Sequence, residues 1–420
     1  MSRLWLVLAV ILIADFGAIS ARCQDDAFKK AFDLYRAGDL SQARHILTSV
    51  NTTERSALDF SLLGSIEFQE RQLDAAECDL RRALAIQPAL IGTRFMLGNV
   101  LQANGNFSLA KETFKQVIAR DNQHLDAILA LSTLDIETHE FESAAALLER
   151  GRKIAPNDLR VLLSLARVRH LQGNSEAALA LLLQARKSAP DDVEVLYAVG
   201  ALCLEMDLIK DATDNLERAV QIAPSDARAR YALGSARIAN RDLAGAISIY
   251  QDLLKTDPNN AQINYALGAT YFLQGSNQDA KRYFERSMKL APGQVESLYY
   301  LGVIAGQEGN SKESIDLLST VIDRSAGHPR AHIALGMEYR NANRLADAKR
   351  ELETAVRLTP DSQKAHYQLG LVLVKLKEQA RGKAELEMAE RLKGPSDEKV
   401  AWQLALPPDK AGAEMASKGK

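Results

Sequence analysis

The residues with chemical potential are few and scattered. Seven histidines stand at His45, His124, His139, His170, His328, His332 and His366. An imidazole can serve as a general base, a nucleophile's partner or a zinc ligand, but each task needs company: a hydroxyl or thiol to activate, or further ligands to complete a tetrahedral set. No such company is written near them. The thiols are Cys23, Cys78 and Cys203, none in a metal-binding doublet. There is no GxSxG elbow, no HExxH pair and no phosphate-binding loop. Asn51-Thr52-Thr53 and Asn106-Phe107-Ser108 match the N-glycosylation acceptor pattern, which is short and frequent by chance. No catalytic, cofactor-binding or metal-binding residue is therefore assigned. What does recur at a fixed step is recognition chemistry. Tyr197, Tyr231, Tyr265 and Tyr299 are spaced by 34, with Tyr367 two steps further on. Arg160, Arg228, Arg330 and Lys364 share a column three residues earlier. A phenol supplies rigid contact area and a hydroxyl, and a cation can read a carboxylate.

The step of 34 belongs to the whole chain. Counting from Gly234, one column holds Gly64, Gly98, Ser132, Ala166, Gly200, Gly268, Gly302, Gly336 and Gly370, all small. Leu or Val precedes every one of them. Twelve residues later stands a second small residue, Ala246 in this unit, and sixteen later a large apolar one, Tyr250. A proline closes most units, among them Pro88, Pro156, Pro224, Pro292 and Pro360. Within one unit two helical periodicities run in succession, about 261–273 and 277–290. A Gly-polar step separates them at Gly38, Gly105, Gly173, Gly275 and Gly309, where glycine can turn left-handed and the next residue can cap the second helix. The proline ends that helix. Each unit is a helical hairpin, and its small columns let two helices approach closely. Three units depart from the pattern, through Ser132 and Gly151, through Ser314 and Ala326, and through Gly382. They read either as local bends or as tolerated drift.

These columns resemble the tetratricopeptide repeat, whose pattern is W-x2-L-G-x2-Y, then A-x3-F, then P, over about 34 residues. The resemblance covers about 24–396, with units starting near 24, 57, 91, 125, 159, 193, 227, 261, 295, 329 and 363. It implies an all-α, right-handed superhelical solenoid of about eleven hairpins. It also implies that the tyrosine column, which continues through Phe95, Leu129, Leu163 and Ile333, points to a concave groove lined by first helices. Tyrosine is equally the family's common packing residue at that place, so both readings stay open. The Arg and Lys column reads as solvated charge or as basic points for an acidic peptide. His332 and His366 take the family's Trp position and are expected to pack. Some relatives clamp a chaperone's C-terminal carboxylate with Lys, Asn and Arg at set first-helix positions. This chain places tyrosines and alanines at most of those positions, which departs from the clamp.

Composition agrees with packed helices: 47% of residues are apolar and only 6% aromatic. A net charge of −2 argues against a nucleic-acid binder. The start differs from the rest. Arg3, the apolar run Leu4–Ile13 and the small residues Ala18, Ser20 and Ala21 have the order of a secretory signal peptide over 1–21. Retention of 4–19 as a membrane anchor is the alternative, and with it the only membrane contact expected. Arg22 before Cys23 disfavours lipidation. Residues 397–406 read as an amphipathic capping helix anchored by Trp402, and 407–420 as a disordered tail. Cys78 and Cys203, almost four units apart and both expected to be partly buried, should not pair. The function expected is a non-enzymatic scaffold, periplasmic or secreted, binding a protein or peptide partner. The alternative is a subunit of an envelope complex for polysaccharide or protein export or assembly.

Overall fold

The computed structural model describes residues 26–392. The expected signal peptide (1–21), capping helix (397–406) and tail (407–420) lie outside the described residues. Among the described residues every regular element is an α-helix, and there are 22. They pair into eleven hairpins. The first five are α1 (Asp26–Ala37) with α2 (Leu40–Ser49), α3 (Ala57–Gln69) with α4 (Leu73–Ile86), α5 (Ile91–Ala103) with α6 (Phe107–Arg120), α7 (Leu125–Glu137) with α8 (Phe141–Ile154), and α9 (Leu159–Leu171) with α10 (Ser175–Ser188). They form one compact unit, ending at Pro190. The other six form a second unit from Asp191: α11 (Val193–Glu205) with α12 (Ile209–Ile222), α13 (Ala227–Ala239) with α14 (Leu243–Thr256), α15 (Ala261–Gln274) with α16 (Asn277–Leu290), α17 (Val295–Gln307) with α18 (Ser311–Arg324), α19 (Pro329–Asn341) with α20 (Leu345–Leu358), and α21 (Gln363–Lys375) with α22 (Gln379–Arg391). Each unit is an all-α solenoid, a stack of hairpins.

Local chemistry sets the helix ends. Asp158, Asp192, Asp226, Asn260 and Ser362 accept hydrogen bonds from backbone amides in the first turns of α9, α11, α13, α15 and α21. His124 and His328 do the same with Nδ1, accepting from the amides of Ala127 at 3.2 Å and Ala331 at 3.0 Å. Between the helices of every hairpin one residue turns left-handed. The five glycines expected there have φ between 77° and 89°. In the other six hairpins the place is taken by Arg71, His139, Asp207, Arg241, Asn343 and Lys377, at φ 56–64°. The tight connection imposes this conformation whether or not glycine is present.

The small columns have a direct steric cause. A Cβ placed on Gly234 would lie 2.6 Å from Cζ of Tyr250, and one on Gly268 2.7 Å from Cδ1 of Phe284. Gly64, Gly200, Gly336 and Gly370 meet Leu80, Leu216, Leu352 and Leu386 in the same way. The large residue sixteen places on thus sits over the glycine's bare backbone, and Tyr250 and Phe284 are fully buried there. Burying such a side chain stabilises by about 1.5–3 kcal/mol. Ser314 departs from alanine in the second small column without leaving a buried hydroxyl unpaired: it donates to the Gly302 carbonyl at 2.8 Å.

Between hairpins, each second helix packs on the first helix that follows it within its unit. First helices are therefore covered on most sides. In α3 every residue from Asp59 to Ile66 is buried, whereas α18 buries only Ser314, Leu318 and Val321. Second helices are one-sided and carry the outer, charged surface.

Candidate functional site

The tyrosine column does not present one uniform face. Tyr265 is 3% exposed and Tyr299 8%, both inside the core of the second unit. Tyr265 packs on Phe284 and on Tyr300 of the next hairpin, with ring centroids 5.8 and 6.2 Å away. Tyr299 is covered by Tyr300 and by the capping His328 at 5.1 Å, an arrangement repeated where His124 lies 5.0 Å from Phe95. Tyr300 itself replaces the alanines found one step either side, Ala266 and Ala334, and its bulk closes this stretch. Tyr197 and Tyr231 remain partly exposed, and Tyr367 is 44% exposed. Tyr231 leans on Tyr250 at 5.3 Å, and its hydroxyl meets Gln262. Burial, with Tyr250 nearby, holds its pKa well above the phenol's usual value, so it stays a neutral donor.

The cations are partnered by their own column. Arg160 bonds Asp126 at 2.6 Å, and Arg228 bonds Glu194 at 3.0 Å. Both acids stand at the same place one repeat earlier. Each arginine also bonds the capping aspartate of its own helix, Asp158 at 2.9 Å and Asp226 at 3.1 Å. Burial works against the Asp226 carboxylate, but Arg228 and the two amides it caps outweigh that and hold its pKa below the usual range. Arg330 follows the same rule more loosely. Its guanidinium lies 4.5 Å from the Tyr299 ring, donates to the Tyr300 hydroxyl at 2.6 Å and stands 3.9 Å from Glu296, again one repeat back. Arg228 likewise sits 5.2 Å from the Tyr197 ring. Lys364 is exposed and makes no ion pair among the described residues. Sequence reasoning singled out the bases and passed over Asp126, Glu194 and Glu296. The signal was present in an acid standing one repeat before each of Arg160, Arg228 and Arg330.

His332 and His366 hold structural places. His332 bonds Glu351 through Nδ1 at 2.8 Å and the Ala326 carbonyl through Nε2 at 3.0 Å. His366 repeats this with Glu385 at 2.6 Å and the Pro360 carbonyl at 2.9 Å. The two glutamates, each nineteen residues after its histidine, were the readable sign. Among the described residues no three His, Cys, Asp or Glu side chains are grouped to hold a metal. Cys203 is buried in α11, but Cys78 is exposed, contrary to the expectation of partial burial, because it lies on the outer stripe of α4. Cys78 and Cys203 are not joined to each other, as expected. No described helix is long and apolar enough to cross a membrane.

Tetratricopeptide repeat family models match residues 101–162, 135–202, 204–270 and 237–305, and a second such model matches 333–394. The chain belongs to the tetratricopeptide repeat family. No curated relative matches the sequence. Among solved structures it is similar to Cut9 in the APC/C hetero-tetramer Cut9-Hcn1, at 16% identity, covering 91% of this chain and 83% of that one, with TM-score 0.49. Yeast Tom70 is 13% identical over 94% of this chain and 96% of its own, with TM-score 0.49. YrrB, described as having an unusual peptide-binding site, is 19% identical over 43% of this chain and 94% of its own, with TM-score 0.38.

Proposed function

We propose that this chain is a non-enzymatic scaffold that holds a peptide or protein partner against the groove side of its first helices. The observation that carries the reading is the partial exposure of Tyr197 and Tyr231, side by side on a rigid stack, with Ala198 and Ala232 beside them leaving open surface. Phenols fixed in this way bind at little entropic cost. Arg228 lies against the Tyr197 ring and is balanced by Glu194 and Asp226, so the surface is polar without a net demand for an acidic ligand. Tyr367 and Lys364 extend the same column at the far end. Tyr265, Tyr299 and Arg330 would act by holding the surface rigid, and Arg160 by salt-bridging its own column. The order of charge, apolar run and small residues in 1–21 supports export to the periplasm or outside the cell, or anchoring through 4–19.

The test is capture of crosslinked partners by the full chain and by a Tyr197→Ala/Tyr231→Ala variant. The variant should keep its helical circular dichroism and lose capture. Equal capture by both would sink the tyrosine reading. A partner recovered in fixed stoichiometry from envelope fractions would favour the subunit of an export or assembly complex over a freely exchanging binder.

A further inference from the structure

We propose that the last two described hairpins are fastened by two proton-dependent latches, His332 and His366, which hold while the imidazole is doubly protonated and release when it is neutral. Each histidine stands in a first helix, four places before its small-column glycine, Gly336 or Gly370. Both are buried. Nδ1 of His332 lies 2.8 Å from the Glu351 carboxylate on α20, and Nε2 lies 3.0 Å from the Ala326 carbonyl in the link from the preceding hairpin. Nδ1 of His366 lies 2.6 Å from the Glu385 carboxylate on α22, and Nε2 lies 2.9 Å from the Pro360 carbonyl in the next such link. A carbonyl oxygen only accepts, and so does an ionised carboxylate. A neutral imidazole has one N–H to give. Both bonds therefore exist together only when both ring nitrogens carry protons. In that form each histidine ties the two helices of its own hairpin to the link that joins it to the hairpin before.

Two other places in the stack show that this demand is particular. His328 accepts from the Ala331 amide through Nδ1 at 3.0 Å and faces Glu296 through Nε2 at 3.0 Å, so a neutral ring with its proton on Nε2 satisfies both. In the third hairpin the place of His332 and His366 is held by a permanent cation. Arg94, four places before Gly98, donates to the carbonyl of Pro88 at 2.8 Å. Pro88 stands six places before Arg94, as Ala326 does before His332 and Pro360 before His366. The last two hairpins thus use a titratable form of the same cation-to-carbonyl tie. The charged groups acting on His332 are on α20: Glu351, with Arg350 bonded to it, and Arg357 in opposition. Glu385 faces His366 from α22, and the link side presents only the carbonyl. For His332 the bonds to Glu351 and the carbonyl prevail over burial, so its pKa lies above the ordinary value. Its latch is closed at acidic pH and opens as pH rises through that folded value. In a stack held by nearest-neighbour contacts, end hairpins open at the lowest cost. Lys364 and Tyr367 ride on α21, so the latches govern the far end of the groove column whether or not a partner binds there.

The experiment is amide hydrogen exchange on the full chain at about pH 6 and about pH 8.5, on either side of the ordinary imidazole value, corrected for the intrinsic exchange rate. Protection across α19–α22 should fall about tenfold or more at the higher pH, the size expected for losing a hydrogen bond to a charged group. Protection across α11–α16 should change little. A variant with His332→Arg and His366→Arg, after the pattern of Arg94, should keep its protection at both pH values. Should that variant fail to fold, imidazole nitrogen shifts of the parent chain carry the test: both ring nitrogens of His332 and His366 protonated at about pH 6, and one bare at about pH 8.5. Three results would overturn the proposal: an equal loss of protection in α11–α16, a pH dependence in α19–α22 that survives the double arginine substitution, and neutral rings at His332 and His366 at the lower pH. None of these readouts depends on a groove ligand.

Discussion

Arg228 and Glu194 hold equivalent places in consecutive first helices and stand 3.0 Å apart. Arg160 and Asp126 are related in the same way. Each of these two pairs thus ties neighbouring repeats together and cancels its own charge. Both members of the Arg228 pair are more than half exposed, so the stabilisation is small. A double-mutant cycle of Glu194→Gln with Arg228→Gln should return about 0.2–1 kcal/mol of coupling in urea unfolding, and less at high salt.

Gly234→Leu should destabilise by at least the roughly 1–3 kcal/mol usual for overpacking, because Tyr250 fills the space a side chain needs. Gly234→Ala should cost less, since one ring need shift. Equal melting temperatures for all three proteins would contradict the register described.

The left-handed turns offer a conformational test free of packing. Nothing lies within 4 Å of a Cβ placed on Gly275, at φ 82°. Gly275→Ala should therefore cost about 1 kcal/mol through backbone strain alone. Lys377→Gly, at φ 64°, should stabilise by less than that, because glycine also loses more entropy on folding. Denaturant midpoints measure both.

His332 predicts a pH dependence. Burial disfavours its charged form, but Glu351 and the Ala326 carbonyl outweigh burial and raise its pKa above the usual 6.5. The resulting stability is fully present below about pH 6.5 and is lost as pH rises through the higher folded value. Glu351→Gln should flatten that part of the stability-against-pH curve, as read by thermal melts between pH 5 and 9, roughly the span the linkage covers.

Glu67 gives a pH dependence of the same sign from an acid, with burial and not a partner as its cause. Burial, then Asp79, pushes its pKa from 4.5 up to about 7, and one of its carboxylate oxygens is buried without a hydrogen-bond partner. Ionising it costs stability: the stability is full below its unfolded value of 4.5 and is lost as pH rises through about 7. Glu67→Gln should raise the melting temperature above pH 7 and change little below pH 4.5.

The period, the hairpin and the small-against-large columns were legible in the residues themselves, since each column repeats one steric requirement. Gly234 and Tyr250 state theirs in residue type alone. Five turns were legible through glycine. The other six were not, because at Arg71 or Lys377 the helices on either side impose a conformation the residue does not prefer. Exposure within the tyrosine column was not legible either. Tyr231 and Tyr265 have identical local sequence, "YALG", yet one is partly open and the other closed. The difference comes from the next hairpin, where Tyr300 fills the space that Ala266 leaves one repeat earlier. Likewise Arg228 looked like a free cation until the stack brought Glu194 beside it. Sequence determined what each repeat is made of, because packing inside a hairpin joins residues at fixed short spacings. Only the tertiary structure decided which side chains stay available, because that depends on what the neighbouring repeat places over them.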